Sequence, residues 1–249
     1  MPSTFTLLLP PSEGKEAGGV KGTSTGAFDK DLKIQRHEVV GALKKELATM
    51  THERAEALFK AHGALAERAL HDAKALVANK APVMPAWQRY SGVVWSHLHP
   101  ESLSASRRAQ IVIPSGLYGL TTANDLIADY RLTMLVGLEG IGNLGAFWLE
   151  SVSQTLASSR KNSVVIDLLP NEHRKAVDPE VVGALCRIVT VDFVAHSGAG
   201  AAGHGAKAVK GAMARAILDD GIDRLGSFRW EGWRAAKRGD AVTVRAPKA

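Results

Sequence analysis

Apolar residues in this chain follow two rhythms, short continuous runs and helically spaced faces. Their alternation predicts a sheet with helices packed against it. Leu7-Leu8-Leu9 is a short apolar run halted by Pro10 and Pro11, which cannot donate to a ladder. It reads as a buried strand that delivers Ser12, Glu13 and Lys15 at its carboxyl edge, where open α/β sheets keep their sites. Gly18 to Phe28, rich in Gly, Ser and Thr, reads as a loop. Val39, Leu43, Leu47 and Met50 mark one helical face; Leu58, Phe59, Leu65, Ala69, Leu70, Leu76 and Val77 mark a second. Thr51 is placed to cap the second helix with Glu53 in its first turn, so the pair forms a helical hairpin closed by Pro82 and Pro85. Tyr90 to Trp95, Ile111 to Pro114, Ser163 to Leu168 and Arg187 to Phe193 read as strands, with a last one at Val242 to Arg245. Phe147 to Ala157 and Ala206 to Leu218 carry helical spacing. The expected architecture is α+β, a mixed β-sheet with packed helices in a single domain over residues 1–249.

Composition narrows the class. With 45% of 249 residues apolar, the chain can bury a sizeable core. No run approaches the roughly 20 apolar residues of a membrane span, and Met1 to Thr6 lack a signal peptide's basic start, so a cytoplasmic location is expected. Cys186 is the one cysteine; its neighbours Val182, Leu185 and Ile188 predict a buried, inert thiol. Lys and Arg total 31 against 25 Asp and Glu, a net charge of +6. The excess gathers late, from Lys207 through Lys248, where Trp230 and Trp233 interleave with the cations. That composition suits a surface for phosphates and bases, or a solvated hairpin with packed tryptophans.

The candidate chemistry begins at Ser12-Glu13-Gly14-Lys15. The segment is no P-loop, since Leu9 and Glu16 stand where that motif needs Gly and Ser or Thr. Ser12 and Lys15 have the S-x-x-K spacing of serine acyltransferases, without that class's accompanying signatures. Ser115-Gly116-Leu117-Tyr118-Gly119 follows a strand, and its backbone amides can line an anion-binding concavity. Alone it reads as a tight turn around a core tyrosine; beside Lys15 and the planar fork of Arg131 it reads as a ligand site. Lys207 and Lys210 share a helical face, with Arg215 roughly 80° round the axis. Gly205 and Gly211 flank them as places of close approach to a ligand. Lys44, Lys45, His52, Arg54 and Lys60 surround the turn of the early hairpin and are placed to meet a DNA backbone. Gly137 to Gly142 looks like the glycine turn of a helix-hairpin-helix, where backbone amides touch phosphate, although Glu139 would oppose that phosphate and the turn would then simply start the helix carrying Phe147 and Trp148. His97 and His99 alternate on one predicted strand face without the carboxylates that would complete a metal site. Glu13, Glu172 and His173 are candidates for an acid-base group in the same cleft.

Six segments in order and spacing resemble the YaaA peroxide-stress-response family: Pro10 to Lys15, Tyr90 to Val93, Ser115 to Gly119, Asp129 to Leu132, Phe147-Trp148 and Lys207 to Gly211. The resemblance implies a cytoplasmic bacterial protein with a mixed α/β, cantaloupe-like fold, a positively charged cleft and a helix-hairpin-helix element. It also implies binding of double-stranded DNA and a role in limiting damage from hydrogen peroxide and iron. Two stretches depart from the family pattern, Asp167 to His173 and the Gly- and Ala-rich run from His196 to Gly205. The leading expectation is therefore a DNA-binding protein of the peroxide response, with no metal, cofactor or membrane partner. The alternative is an enzyme acting on a nucleotide or other phosphorylated small molecule, with Ser12, Glu13, Lys15 and Tyr118 as its catalytic groups.

Overall fold

The computed structural model describes residues 5–197 and 205–248. Eight strands form one sheet: β1 (Phe5–Leu8), β2 (Ile111–Ser115), β3 (Gly119–Thr122), β4 (Val164–Asp167), β5 (Arg187–Val194), β6 (Arg229–Trp230), β7 (Trp233–Arg238) and β8 (Ala241–Arg245). Their spatial order is β6-β7-β8-β5-β4-β1-β2-β3. The middle of the sheet, from β8 through β5, β4 and β1 to β2, is parallel, and antiparallel pairs close both edges. Parallel strands are buried on both faces, and this explains the unbroken apolar runs. Leu7 lies opposite both Ile111 and Ile166, all fully buried.

Six longer helices accompany the sheet: α1 (Asp29–Ala48), α2 (His52–Phe59), α3 (Ala64–Val77), α4 (Val93–Leu98), α5 (Leu144–Ser159) and α6 (Gly205–Asp220). Thr51 accepts from the Arg54 amide and so caps α2, as its sequence position predicts. Asn143 does the same for α5 through the Ala146 amide. α1 and α5 pack beside β3, and α6 lies along α4 and β5.

The structure corrects three expectations. The second apolar helical face is split between α2 and α3, because Lys60 takes a left-handed conformation (φ 48°) and Gly63 follows at φ 52°. Tyr90 to Trp95 is not a strand. Tyr90 makes one bridge to Lys15, Gly92 turns the chain at φ 135°, and Val93 begins α4. Val94, Trp95 and Leu98 are buried by that helix, so packing overrides the β preference of the two valines. His97 consequently sits on a helix and His99 in its left-handed cap, so they share no strand face. The Gly137 to Gly142 turn joins two short antiparallel segments, Gly137–Leu138 and Gly142–Asn143, rather than two helices. Within it the Glu139 amide donates to the buried Glu46 carboxylate at 2.9 Å.

At the other edge, Trp233 is buried and Trp230 meets His97 edge-on, so both tryptophans pack inward from the cationic hairpin. The Gly- and Ala-rich departure falls largely on residues 198–204, outside the described residues. Cys186 is buried, with its sulfur 3.1 Å from the Arg160 carbonyl, and burial pushes the thiol pKa up.

Candidate functional site

Where β1 ends, the chain is zipped to the segment that leads into α4. The Trp95 indole donates to the Pro10 carbonyl at 3.2 Å, the Ser12 hydroxyl donates to the Ser91 carbonyl, and the Ser91 amide donates to Gly14 at 3.1 Å. The two sides of this seam pack closely on glycine. A Cβ on Gly92 would stand 2.5 Å from Ser12 Oγ, and one on Gly14 would stand 3.2 Å from the Ser91 carbonyl. The seam forms one wall of a cleft of about 520 Å³ beyond the carboxyl ends of β1 and β4. Tyr130, Arg131, Leu132 and Thr133 line a second wall, Pro170, Glu172 and His173 a third, and Ala206, Lys207 and Lys210 a fourth.

Lys15 sits at the junction of the first two walls. Its ammonium donates to the Ser12 carbonyl at 2.8 Å and stands 4.3 Å from the centre of the Tyr130 ring and 5.5 Å from that of Tyr90. Burial lowers its pKa from 10.5 to about 7; Arg131 and Arg89 act in the same direction, while Asp129 and Glu13 oppose. Asp129 is itself committed to Arg68, 2.6 Å away. Beneath the lysine, the Tyr130 hydroxyl receives the Ser115 hydroxyl proton at 2.7 Å and shares a 2.7 Å hydrogen bond with Tyr90. Burial pushes both phenols above their usual range. They are rigid, neutral floor groups at physiological pH.

The opposite side holds a second buried amine. Lys210 is 7% exposed and lies 5.2 Å over the Phe193 ring. Burial and the Arg174 guanidinium lower its pKa to about 8, against the pull of Asp167 and Asp192. Arg174 bridges those carboxylates at 2.7 Å each and so ties the end of β4 to β5. His173 is buried beside Lys210, and burial followed by that charge lowers its pKa to about 4, so it is neutral. Its Nδ1 lies 3.3 Å from Glu172 Oε1 but makes no hydrogen bond.

The sequence candidates thus divide. Ser12, Glu13, Lys15, Arg131, Lys207 and Lys210 line the cleft together with Glu172 and His173. The Arg131 fork is largely occupied, donating to the carbonyls of Phe59 (2.8 Å), Glu13 (3.3 Å) and Lys60 (3.4 Å) and pairing with the Glu13 carboxylate at 3.4 Å. Ser115, Gly116 and Tyr118 do not line it. Ser115 is fully buried and accepts from the Leu117 and Tyr118 amides, the donors expected for an anion cradle. Gly116 packs on the Leu132 carbonyl, 2.5 Å from where a Cβ would be. The Tyr118 hydroxyl is held by Ser24 at 2.9 Å and the Ala128 amide at 3.0 Å.

Gly211 likewise serves packing rather than a ligand. A Cβ there would fall 2.2 Å from the Val94 carbonyl, whereas one on Gly205 would make ordinary contact with Trp233 at 3.4 Å. Arg215 points away, pairing with Asp219 at 2.7 Å and donating to the His99 carbonyl at 3.3 Å. Lys44, Lys45, Arg54 and Lys60 are exposed around the ends of α1 and α2, with Arg54 paired to Glu46 at 2.7 Å. Among the described residues no three His, Cys, Asp or Glu side chains gather as a metal site. Sequence reasoning did not find the ring stacking on Lys15 or the Lys210–His173 pair. Tyr130 and Tyr90 carried a signal, since both stand within the matched segments, but nothing in the sequence marks Arg174.

The sheet and its polar cleft define a mixed α+β protein with a pocket at the carboxyl edge of a parallel core. The chain belongs to the peroxide stress protein YaaA family, whose profile it matches over residues 5–238. A UPF0246 protein of Streptomyces coelicolor is 32% identical over 222 residues, covering 86% of this chain and 83% of that protein. A UPF0246 protein of Bacteroides thetaiotaomicron is 26% identical over 201 residues, 76% of this chain and 78% of its own length. One from a Shewanella strain is 36% identical over 154 residues, which is 58% of this chain and 59% of that protein.

Proposed function

We propose that this peroxide stress family member binds a phosphorylated small molecule of nucleotide size in the cleft and acts on it there. The observation that carries this reading is Lys15, an amine resting over two aromatic rings with its pKa lowered to about 7, facing a cavity of about 520 Å³. Small-molecule pockets run about 300–1,000 Å³, and strongly shifted titratable groups gather where chemistry is done. Lys207 and Lys210 supply positive charge for a phosphate from the opposite wall. Glu13 and Glu172 are the groups available to exchange protons with the bound molecule, while Ser12, whose proton goes to the Ser91 carbonyl, offers a lone pair to orient it. Tyr118, committed elsewhere, is left out of the catalytic set.

Calorimetric titration with nucleoside 5′-monophosphates tests this. Saturable binding at one site, weakened at least tenfold by Lys207→Ala, is the expected result. Absence of saturable binding by any nucleotide, or binding indifferent to Lys207, overturns it.

Duplex DNA is a second reading, carried by the exposed Lys44 and Lys45 and the half-exposed Arg54 near the turn between α1 and α2, with the exposed Lys60 at the far end of α2. On this reading that turn serves as the helix-hairpin contact and the cleft is a separate site. Replacing the three lysines by Ala should reduce the slope of log K against log salt by roughly 3, at about 0.9 for each phosphate contact. An unchanged slope removes the hairpin from any DNA interface.

A further inference from the structure

Resting on the cleft reading, we propose that Lys15 captures a phosphorylated aldehyde or ketone as a Schiff base, which fixes the ligand class as a phosphate-bearing carbonyl compound. The Lys15 amine lines the cavity, and its one hydrogen bond among the described residues goes to the backbone carbonyl of Ser12. Among the described residues no carboxylate accepts from it. The acids that raise its charge are Asp129, already bound to Arg68, and Glu13, paired at 3.4 Å with Arg131. Arg131 and Arg89 oppose protonation, and the rings of Tyr90 and Tyr130 exclude water below. An amine so placed has a substantial neutral fraction at pH 7, with its lone pair available to an electrophile.

A phosphate-only ligand needs just a cation at this place, and an ordinary exposed lysine would supply one. A desolvated lysine beside two further cations is costly unless the neutral amine is used. The step balances without any oxidant or reductant. The nitrogen lone pair adds to the carbonyl carbon, the displaced π pair takes up one of the two amine protons to give a carbinolamine, and the second amine proton passes to that hydroxyl as the nitrogen lone pair expels it as water to leave the neutral imine. Glu13, two residues away on the same turn, and Glu172 across the cleft are the carboxyl groups that relay those protons. Lys207 and Lys210 hold the phosphate meanwhile.

Pyridoxal 5′-phosphate is a suitable phosphorylated aldehyde for the test, with borohydride to reduce any imine and peptide mass spectrometry to locate it. Pyridoxine 5′-phosphate, which has the phosphate but no carbonyl, serves as competitor. At pH 7 Lys15 should be labelled at least tenfold faster than any exposed lysine, because an ordinary lysine of pKa ~10.4 is neutral only on the order of once in 10³. The competitor should protect it, and labelling should rise through pH 7 and level off above it. Lys15 left unlabelled while pyridoxine 5′-phosphate binds the cleft overturns the imine and leaves the phosphate reading standing. Failure of pyridoxine 5′-phosphate to bind or protect overturns the carbonyl ligand class, and the nucleotide titration then decides the cleft reading separately.

Discussion

Gly211→Ala tests the packing that shapes the cleft. Gly211 lies where α6 crosses α4, and an alanine methyl there would fall 2.2 Å from the Val94 carbonyl oxygen, 2.9 Å from His97 Cβ and 3.1 Å from the Val94 carbonyl carbon. Ordinary carbon–oxygen contacts begin at about 3.3 Å, so the helices must part by roughly 1 Å. Two of the three opposing atoms are backbone and cannot rotate away. Overpacking of this kind costs typically 1–3 kcal/mol, and a backbone clash belongs at the upper end. Alanine returns up to about 1 kcal/mol in helix propensity, which leaves a net loss of about 2 kcal/mol. For a protein of this size that lowers Tm by about 4–8 °C. α4 contributes Val93, Val94 and Trp95 to the cleft, and α6 contributes Ala206, Lys207 and Lys210, so the same variant should bind nucleotide more weakly. Thermal unfolding followed by circular dichroism measures the first effect and calorimetry the second. A Tm at or above that of the wild type would refute the close-packing argument.

Lys210→Met should stabilise the protein at pH 7 while weakening ligand binding. Burial lowers the folded pKa from 10.5 to about 8, so the folded state carries a penalty below pH 8 that fades as pH rises to 10.5. The gain, about 1–3 kcal/mol from chemical denaturation at pH 7, should therefore vanish near pH 10.5, and an equal gain at both pH values would contradict the cause given. Cys186→Ser should leave peroxide protection in cells unchanged, because the thiol is buried and its pKa is raised; loss of protection by a folded variant would point to thiol sensing. Glu13→Gln should bind duplex DNA at least as well as the wild type, since the exposed carboxylate repels phosphate, and reduced DNA binding in filter or fluorescence assays would count against that.

Much of the sheet was legible because parallel strands buried on both faces leave unbroken apolar runs, as at Leu7 to Leu9 and Val164 to Ile166. The α4 segment was not. Val93 and Val94 favour strands locally, and only the left-handed Gly92 and the burial of Trp95 against Pro10 turn them into a helix. The same distinction governs the site. Lys15 and Glu13 were visible because two prolines end a strand just before them, so their place at a sheet edge follows from local chemistry. Ser115 to Gly119 misled because its glycines answer to Leu132 and Trp148, partners distant in sequence. The environment of Lys15 depends on Tyr90 and Tyr130, and that of Lys210 on Arg174 and Phe193, which only the fold brings together.

The central proposal, that the cleft rather than the helical hairpin is the working site of this peroxide stress family member, is tested most directly by survival of a peroxide-sensitive bacterial strain supplied with variants of this chain. Lys15→Met loses a desolvated charge and should be at least as stable as the wild type at pH 7, which thermal unfolding of the purified variant checks. The account predicts that the wild type and the Lys44, Lys45 and Lys60 triple alanine variant protect alike, while Lys15→Met does not. Full protection by Lys15→Met, with the triple variant inactive, would contradict it.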